Sequence, residues 1–189
     1  MRSVDLAVFR WINHWPEGQA PFWVFLSEAT QSPVVKAILG VLVLGMLFGG
    51  PQTRRTILLT LVAVVLANEL TDVLKNLFPT PRPYQSPAVA DVLVRCGLSE
   101  NPGTASAHSA NMAAVATIFT LNLRFWGLPW VAIALLTGFS RSYVAAHYPS
   151  QVLLGWLCGI SVALLAHWTY ARILARRESV KKENGLETA

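Results

Sequence analysis

The segment SRSYVAAHYPSQ, running from Ser140 to Gln151, sets Arg141 and His147 six residues apart at a break between two apolar stretches. An arginine in so apolar a setting is costly unless it faces a partner or a water-filled cavity. Its planar guanidinium matches phosphate or carboxylate oxygens in a bidentate fashion, and a nearby imidazole can serve as base, acid or nucleophile. The segment therefore predicts an anion-handling turn between two helices that lie in or against a bilayer.

Working outward, two more polar islands precede it: KNLFPTPRP from Lys75 to Pro83, and ASAH from Ala105 to His108. Between and around them the chain is apolar in helix-length runs. Residues 33–50, 56–76, 106–123, 128–143 and 149–172 each come near the roughly 20 residues a helix needs to cross a bilayer. The second run is Leu/Val/Ala in its first half and carries Asn68, Glu69, Thr71, Asp72 and Lys75 in its second. Asp72 and Lys75, one turn apart, are placed to pair. The Pro- and Gly-containing stretch 77–104 is a loop of the length that is usually functional or disordered. Residues 2–14 mix Leu6, Val8, Phe9, Trp11 and Ile12 with charges, as an interfacial amphipathic helix does. Pro16, Gly18 and Pro21 interrupt it, and the apolar piece that follows is too short to span.

The expected fold is thus an all-α integral membrane protein, with about five transmembrane helices and an N-terminal interfacial helical hairpin. It forms one domain over residues 1–189: 1–32 interfacial, 33–172 transmembrane, and 173–189 a cytoplasmic tail, charged and frayed from Arg176. Arg54, Arg55, Arg124, Arg172, Arg176, Arg177, Lys181 and Lys182 fall on one side of such a five-span chain. By the positive-inside rule that side is cytoplasmic. All three polar islands then fall on the opposite face.

Composition agrees with this reading. Hydrophobic residues make up 53% of the 189 and charged residues 13%, and the mean hydropathy is +0.45. These values exclude an ordinary soluble domain, and the seven Trp suit aromatic belts at two interfaces. The net charge of +5 does not form a basic stripe, which argues against nucleic acid. Cys96 and Cys158 have neither zinc nor redox spacing, and Cys158 falls inside a span, away from any disulfide partner. No cleavable signal sequence is apparent before Trp15. His14 and His167 carry no motif and read as interfacial. Gly155 and Gly159 have the spacing of a helix-packing pair, here within one molecule.

Phosphoryl transfer needs positive charge around the equatorial oxygens, an in-line nucleophile and a proton donor for the leaving oxygen. Lys75, Arg82 and Arg141 supply charge. The amides of Ser106, Ala107 and His108, opening a helix, can hold an anion. His108 and His147 supply acid and nucleophile. No Asp/His/Glu cluster has divalent-metal spacing, so the expected route uses neither metal nor other cofactor.

The pattern Lys75-x6-Arg82-Pro83, Ala105-Ser106-Ala107-His108, Ser140-Arg141-x5-His147-x3-Gln151 resembles the three-part signature of the type 2 phosphatidic acid phosphatase superfamily, in order and with similar gaps. The small size resembles that family's bacterial lipid and polyprenyl-diphosphate phosphatases. The resemblance implies that His147 attacks phosphorus to give a phosphohistidine, and that His108 protonates the leaving oxygen and then activates water. It also implies that Lys75, Arg82, Ser106, the Ala107 amide and Arg141 hold the phosphate. Two places depart from the family: Ala105 and Ala107 stand where Pro and Gly are usual, and Gln151 stands where an Asp orients the nucleophile. A Gln can accept from the ring N–H yet cannot stabilise an imidazolium. In a Ser-His-Asp triad the acid-to-amide change costs about 10⁴ in rate. Glu69 or Asp72, on the second span, could supply the missing charge.

The expectation is a metal-independent lipid phosphatase of a bacterial inner membrane, acting at the face away from the cytoplasm. Candidate substrates are an isoprenoid diphosphate such as undecaprenyl diphosphate, which small size favours, phosphatidic acid, phosphatidylglycerol phosphate and a lipid A phosphate. A lipid phosphotransferase using the same residues and a non-catalytic lipid-phosphate binder are the alternatives. Oligomeric state is left open.

Overall fold

A computed structural model describes residues 3–87, 89 and 91–183, and the expectations for the last six residues of the tail lie outside these. Among the described residues the chain is helical. Its α-helices are α1 (Ser3–Asn13), α2 (Ala20–Glu28), α3 (Pro33–Leu47), α4 (Pro51–Leu77), α5 (Ala107–Leu123), α6 (Leu128–Tyr143) and α7 (Pro149–Glu183).

Local chemistry sets the boundaries. Ser32 caps α3 by accepting from the Val35 amide, and Pro33 follows at the first helical position. The Gly49-Gly50-Pro51 corner closes α3 and opens α4. Ser106 caps α5 through the Ser109 amide, and Pro149 opens α7. The frayed tail expected from Arg176 is instead helical as far as Glu183. Arg, Glu and Lys are good helix formers, and Glu178 stands four residues before Lys182.

Three stretches are long and apolar enough to cross a membrane: Pro51–Leu77, Ala107–Tyr143 and Pro149–Lys182. The segments Glu17–Gln31 and Pro33–Leu47, bent by 59° at their junction, make a fourth if taken as one span. The count of about five is therefore not established. One stretch folds back on itself, however. Arg124, with φ of 52°, turns the chain between α5 and α6, Phe119 meets Trp130 at 5.1 Å between ring centroids, and His108 and Arg141 return to one cavity.

α5 packs against α4, α6 and α7 and forms the centre of the bundle. Its Ala110, Ala114 and Ile118 meet Leu59, Ala63 and Ala67 of α4 and Cys158 and Ala163 of α7, all buried. Small side chains let the backbones approach closely. A Cβ on Gly159 would run into the Ala110 carbonyl, and one on Gly155 into the Ser106 carbonyl. The Gly155/Gly159 pair is thus an intramolecular seam between α7 and α5. The N-terminal helices lie across α6: Trp23 and Ile12 pack on Tyr143, Val144 and Ala146, while Phe9 meets Tyr148 edge-on at 5.2 Å.

Because the Gly159 seam has no room for a methyl group, Gly159→Ala should cost about 1–3 kcal/mol. The expected result is a lower thermal unfolding midpoint for the solubilised variant than for the unaltered chain.

Candidate active site

The three polar islands meet where α4 ends, α5 begins and α6 turns into α7. A cavity of ≈ 420 Å³ there is lined by Lys75, Arg82, Ala107, His108, Arg141 and His147, together with Glu28, Gln31 and residues 96–99. Six of the eight residues singled out in the sequence thus share one cavity.

Each cation is held by a different device. Lys75, in the last turn of α4, donates to Asp72 at 2.7 Å, one turn back. Arg82 sits in the 78–106 loop, where Nε donates to the Asn101 carbonyl (2.8 Å) and NH1 to the Ala146 carbonyl (3.1 Å). Arg141, on the last turn of α6, donates from NH1 to Ser27 Oγ at 2.6 Å and to the Ser27 carbonyl at 3.2 Å. Its Nε is buried and has no hydrogen-bond partner. That is a charged donor waiting for an acceptor, since a buried unmade bond to a charged group costs more than a neutral one.

His147 lies between α6 and α7, held by a tight turn. The Ala146 and His147 amides both donate to the Arg141 carbonyl, and Ala145 takes a left-handed φ of 67°. Nδ1 of His147 is 3.1 Å from the Gly103 carbonyl oxygen. A carbonyl can only accept, so Nδ1 carries the proton and Nε2 keeps its lone pair. A nucleophilic imidazole needs that tautomer.

Gln151, expected to orient this ring, makes no hydrogen bond to it. Its Oε1 accepts from the Tyr148 amide (3.1 Å), and its Nε2 donates to Thr80 Oγ1 (3.1 Å) and the Pro81 carbonyl (3.0 Å). The side chain pins the loop start to the α7 start, and the Gly103 carbonyl takes the orienting position. A Cβ on Gly103 would lie 2.8 Å from Gln151 Oε1, so the glycine lets the loop pass this close. Ser106 also lies outside the cavity lining. Its amide donates to the Gln151 carbonyl at 3.0 Å, and its hydroxyl accepts from Ser109. It serves as a helix cap. The anion-facing start of α5 narrows to Ala107 and His108. Nor do Glu69 and Asp72 reach the histidine: both are exposed, and Asp72 is occupied by Lys75. The carboxylate on the cavity wall is Glu28.

Ser27, Glu28, Gln31 and Gly103 carry no motif that marks them as site residues in the sequence. Ser27 is 114 positions from Arg141 and belongs to an N-terminal segment with no motif to mark it. Arg95 is a strap: it donates to the Asn13 carbonyl (2.9 Å) and stacks 4.4 Å over Tyr143.

Burial holds the His147 imidazole well below its ordinary 6.5, and the Arg141 and Arg82 charges push the same way. The ring is therefore neutral in the folded protein over pH values at which an unfolded histidine takes up a proton. In that window the unfolded chain binds more protons, so stability falls as pH drops through 6.5. The thermal midpoint should decline more steeply from about pH 7 to about pH 5 in the unaltered protein than in His147→Asn, which has no such group to titrate.

Residues 56–174 match the PAP2 superfamily. Over 119 residues the chain is 28% identical to the undecaprenyl-diphosphatase BcrC of Bacillus subtilis (strain 168), an alignment covering 63% of this chain and 60% of that relative. The chain thus spans about three-fifths of that protein's length. Its fold resembles the crystal structure of Aquifex aeolicus LpxE, with a TM-score of 0.73 at 23% identity, covering 87% of this chain and 95% of that one. It also resembles a transmembrane PAP2-type phosphatidylglycerolphosphate phosphatase from Bacillus subtilis, with a TM-score of 0.70 at 22% identity, covering 90% and 86%. The matched residues include the end of α4, the loop over the cavity, both cavity histidines and Arg141, and the chain belongs to the PAP2 superfamily.

Proposed function

We propose that the protein is a membrane lipid phosphatase that removes the terminal phosphate of an isoprenoid diphosphate through a phosphohistidine at His147. The observation that carries this reading is the convergence of Lys75, Arg82, Arg141, His108 and His147 on one cavity.

In the proposed reaction Arg141 Nε, Arg82 and Lys75 neutralise the equatorial oxygens. Nε2 of His147 attacks the terminal phosphorus, and the bond to the bridging oxygen breaks. His108, entering as the imidazolium once the bound diphosphate offsets the three cations, gives that oxygen its proton, and lipid monophosphate leaves. Water then loses a proton to His108 and attacks the phosphohistidine, releasing inorganic phosphate and restoring the neutral His147 and the His108 imidazolium. Ala107 contributes its amide. Gln151 acts by holding the loop and α7 together.

Two observations favour a long-chain substrate. A second space of ≈ 420 Å³, lined in part by Leu26, Val64 and Met112, shares Gln31, Ala107 and His108 with the cavity. It lies on the side of His108, where a leaving lipid would be. The curated relative, moreover, is named as an undecaprenyl diphosphatase. In this account α3 to α7 cross a bacterial inner membrane five times, with the site facing away from the cytoplasm.

The test is phosphate release by the solubilised protein from undecaprenyl diphosphate, phosphatidic acid and phosphatidylglycerol phosphate, with EDTA present. Release should survive EDTA, be fastest from the isoprenoid diphosphate, and fall by at least ~10³-fold in His147→Ala. Unchanged release in that variant would end the proposal. A preference for one of the glycerolipids would reassign the substrate.

A further inference from the structure

We propose a second anion site, built for a phosphate group, at the opposite end of the bundle from His147. The start of α4, the end of α5 and the distal part of α7 border an open hollow of ≈ 550 Å³ lined by Gln52, Arg55, Asn122, His167 and Tyr170 among others. No carboxylate lines it. The Arg55 guanidinium lies 4.6 Å from the centre of the Tyr170 ring, and its Nε is buried without a hydrogen-bond partner. Nδ1 of His167 is in the same condition.

A charged donor that is buried and unbonded, as Arg55 Nε is, is costly without an acceptor in so apolar a chain. The space offers several groups suited to one. Arg55 presents a planar donor fork backed by an aromatic face. The first turn of α4, with Gln52 on the cavity wall, brings the positive end of a 27-residue helix. Gln52 itself is positioned by its bond to the Asn122 carbonyl at 2.5 Å. Together these fit a phosphate.

Depth points to the lipid head-group layer. Tyr170 is 21 residues along α7 from Pro149, or ~32 Å at 1.5 Å per residue. That is about one hydrocarbon thickness from the catalytic end. Trp126 and Trp168 are exposed at this end, and Arg172 lies 5.0 Å over the Trp168 ring, an arrangement found where helices meet head groups. Arg54, Arg124 and Arg176 add positive charge at the same end, which draws anionic lipid. Neither histidine of the candidate active site takes part, so this site stands apart from the proposed catalysis.

The test uses the full chain in neutral detergent and reads the thermal midpoint during separate titrations with phosphatidylglycerol, phosphatidylcholine and inorganic phosphate. Phosphatidylglycerol should raise the midpoint while phosphatidylcholine does not. A matching rise with inorganic phosphate would show that the phosphate alone suffices; a rise with the lipid only would show that the acyl chains are needed. The rise should persist in Arg141→Gln, which weakens the candidate active site. In Arg55→Gln the apparent affinity should fall at least tenfold, as expected for loss of a charge-assisted pair. Should Arg55→Gln not elute as the unaltered protein does, His167→Leu, which should also weaken binding, replaces it. Equal response in the unaltered and altered chains, no response to either anion, or complete loss in Arg141→Gln would overturn the proposal.

Discussion

Three cations, two imidazoles and the Glu28 carboxylate share one cavity, and the fold around them is arranged to bear the mutual repulsion of the cations. Each cation is tied down by a neighbour that fixes its position: Asp72 for Lys75, the Asn101 and Ala146 carbonyls for Arg82, and Ser27 for Arg141. Two of these three tethers are neutral, so most of the positive charge stays available. Arg141 keeps one donor entirely unpaired. Such a cavity is completed by an anion, and a phosphate brings the right charge and oxygen geometry. Burial keeps His147 unprotonated, and the field of the same cations pushes in the same direction.

The scaffold serves that cavity. Gly155 and Gly159 bring α7 against α5 closely enough for the Ser106 amide to meet the Gln151 carbonyl, which locks the helix carrying His108 to the one that follows His147. The N-terminal helices close the other side: Asn13 donates to the Leu93 and Tyr143 carbonyls, and Asp5 accepts from Ser150. Arg95 ties the 78–106 loop to the same corner. These contacts turn a long loop into a fixed wall that carries both Arg82 and Gly103.

The cations and imidazoles that line the cavity were legible in the sequence as polar islands between apolar runs, while Glu28 was not. Lys75, Arg82, His108, Arg141 and His147 stand out for that reason, and the helices that deliver them follow from runs of Leu, Val and Ala. What sequence did not disclose were contacts made by unremarkable groups. The His147 ring is oriented by a backbone carbonyl, which leaves no residue signature, and Gln151, chosen for its position, turns its side chain to the loop instead. Ser27 anchors Arg141 from an N-terminal segment that carries no motif. Ser106 is spent on capping α5. The number of membrane crossings is left open, because α3, α5 and α6, at 15, 17 and 16 residues, fall short of the roughly 20 residues of a usual span.

The central claim is that His147 Nε2, freed by the Gly103 carbonyl, is the atom that receives the phosphoryl group. Rapid mixing of the solubilised protein with undecaprenyl diphosphate labelled in its terminal phosphate, followed by alkaline quench and peptide mass spectrometry, tests it most directly. The account predicts an acid-labile, base-stable phosphate on the peptide containing His147, appearing before free phosphate and absent from His147→Asn. Turnover without any labelled peptide, or with the label on His108, would contradict it.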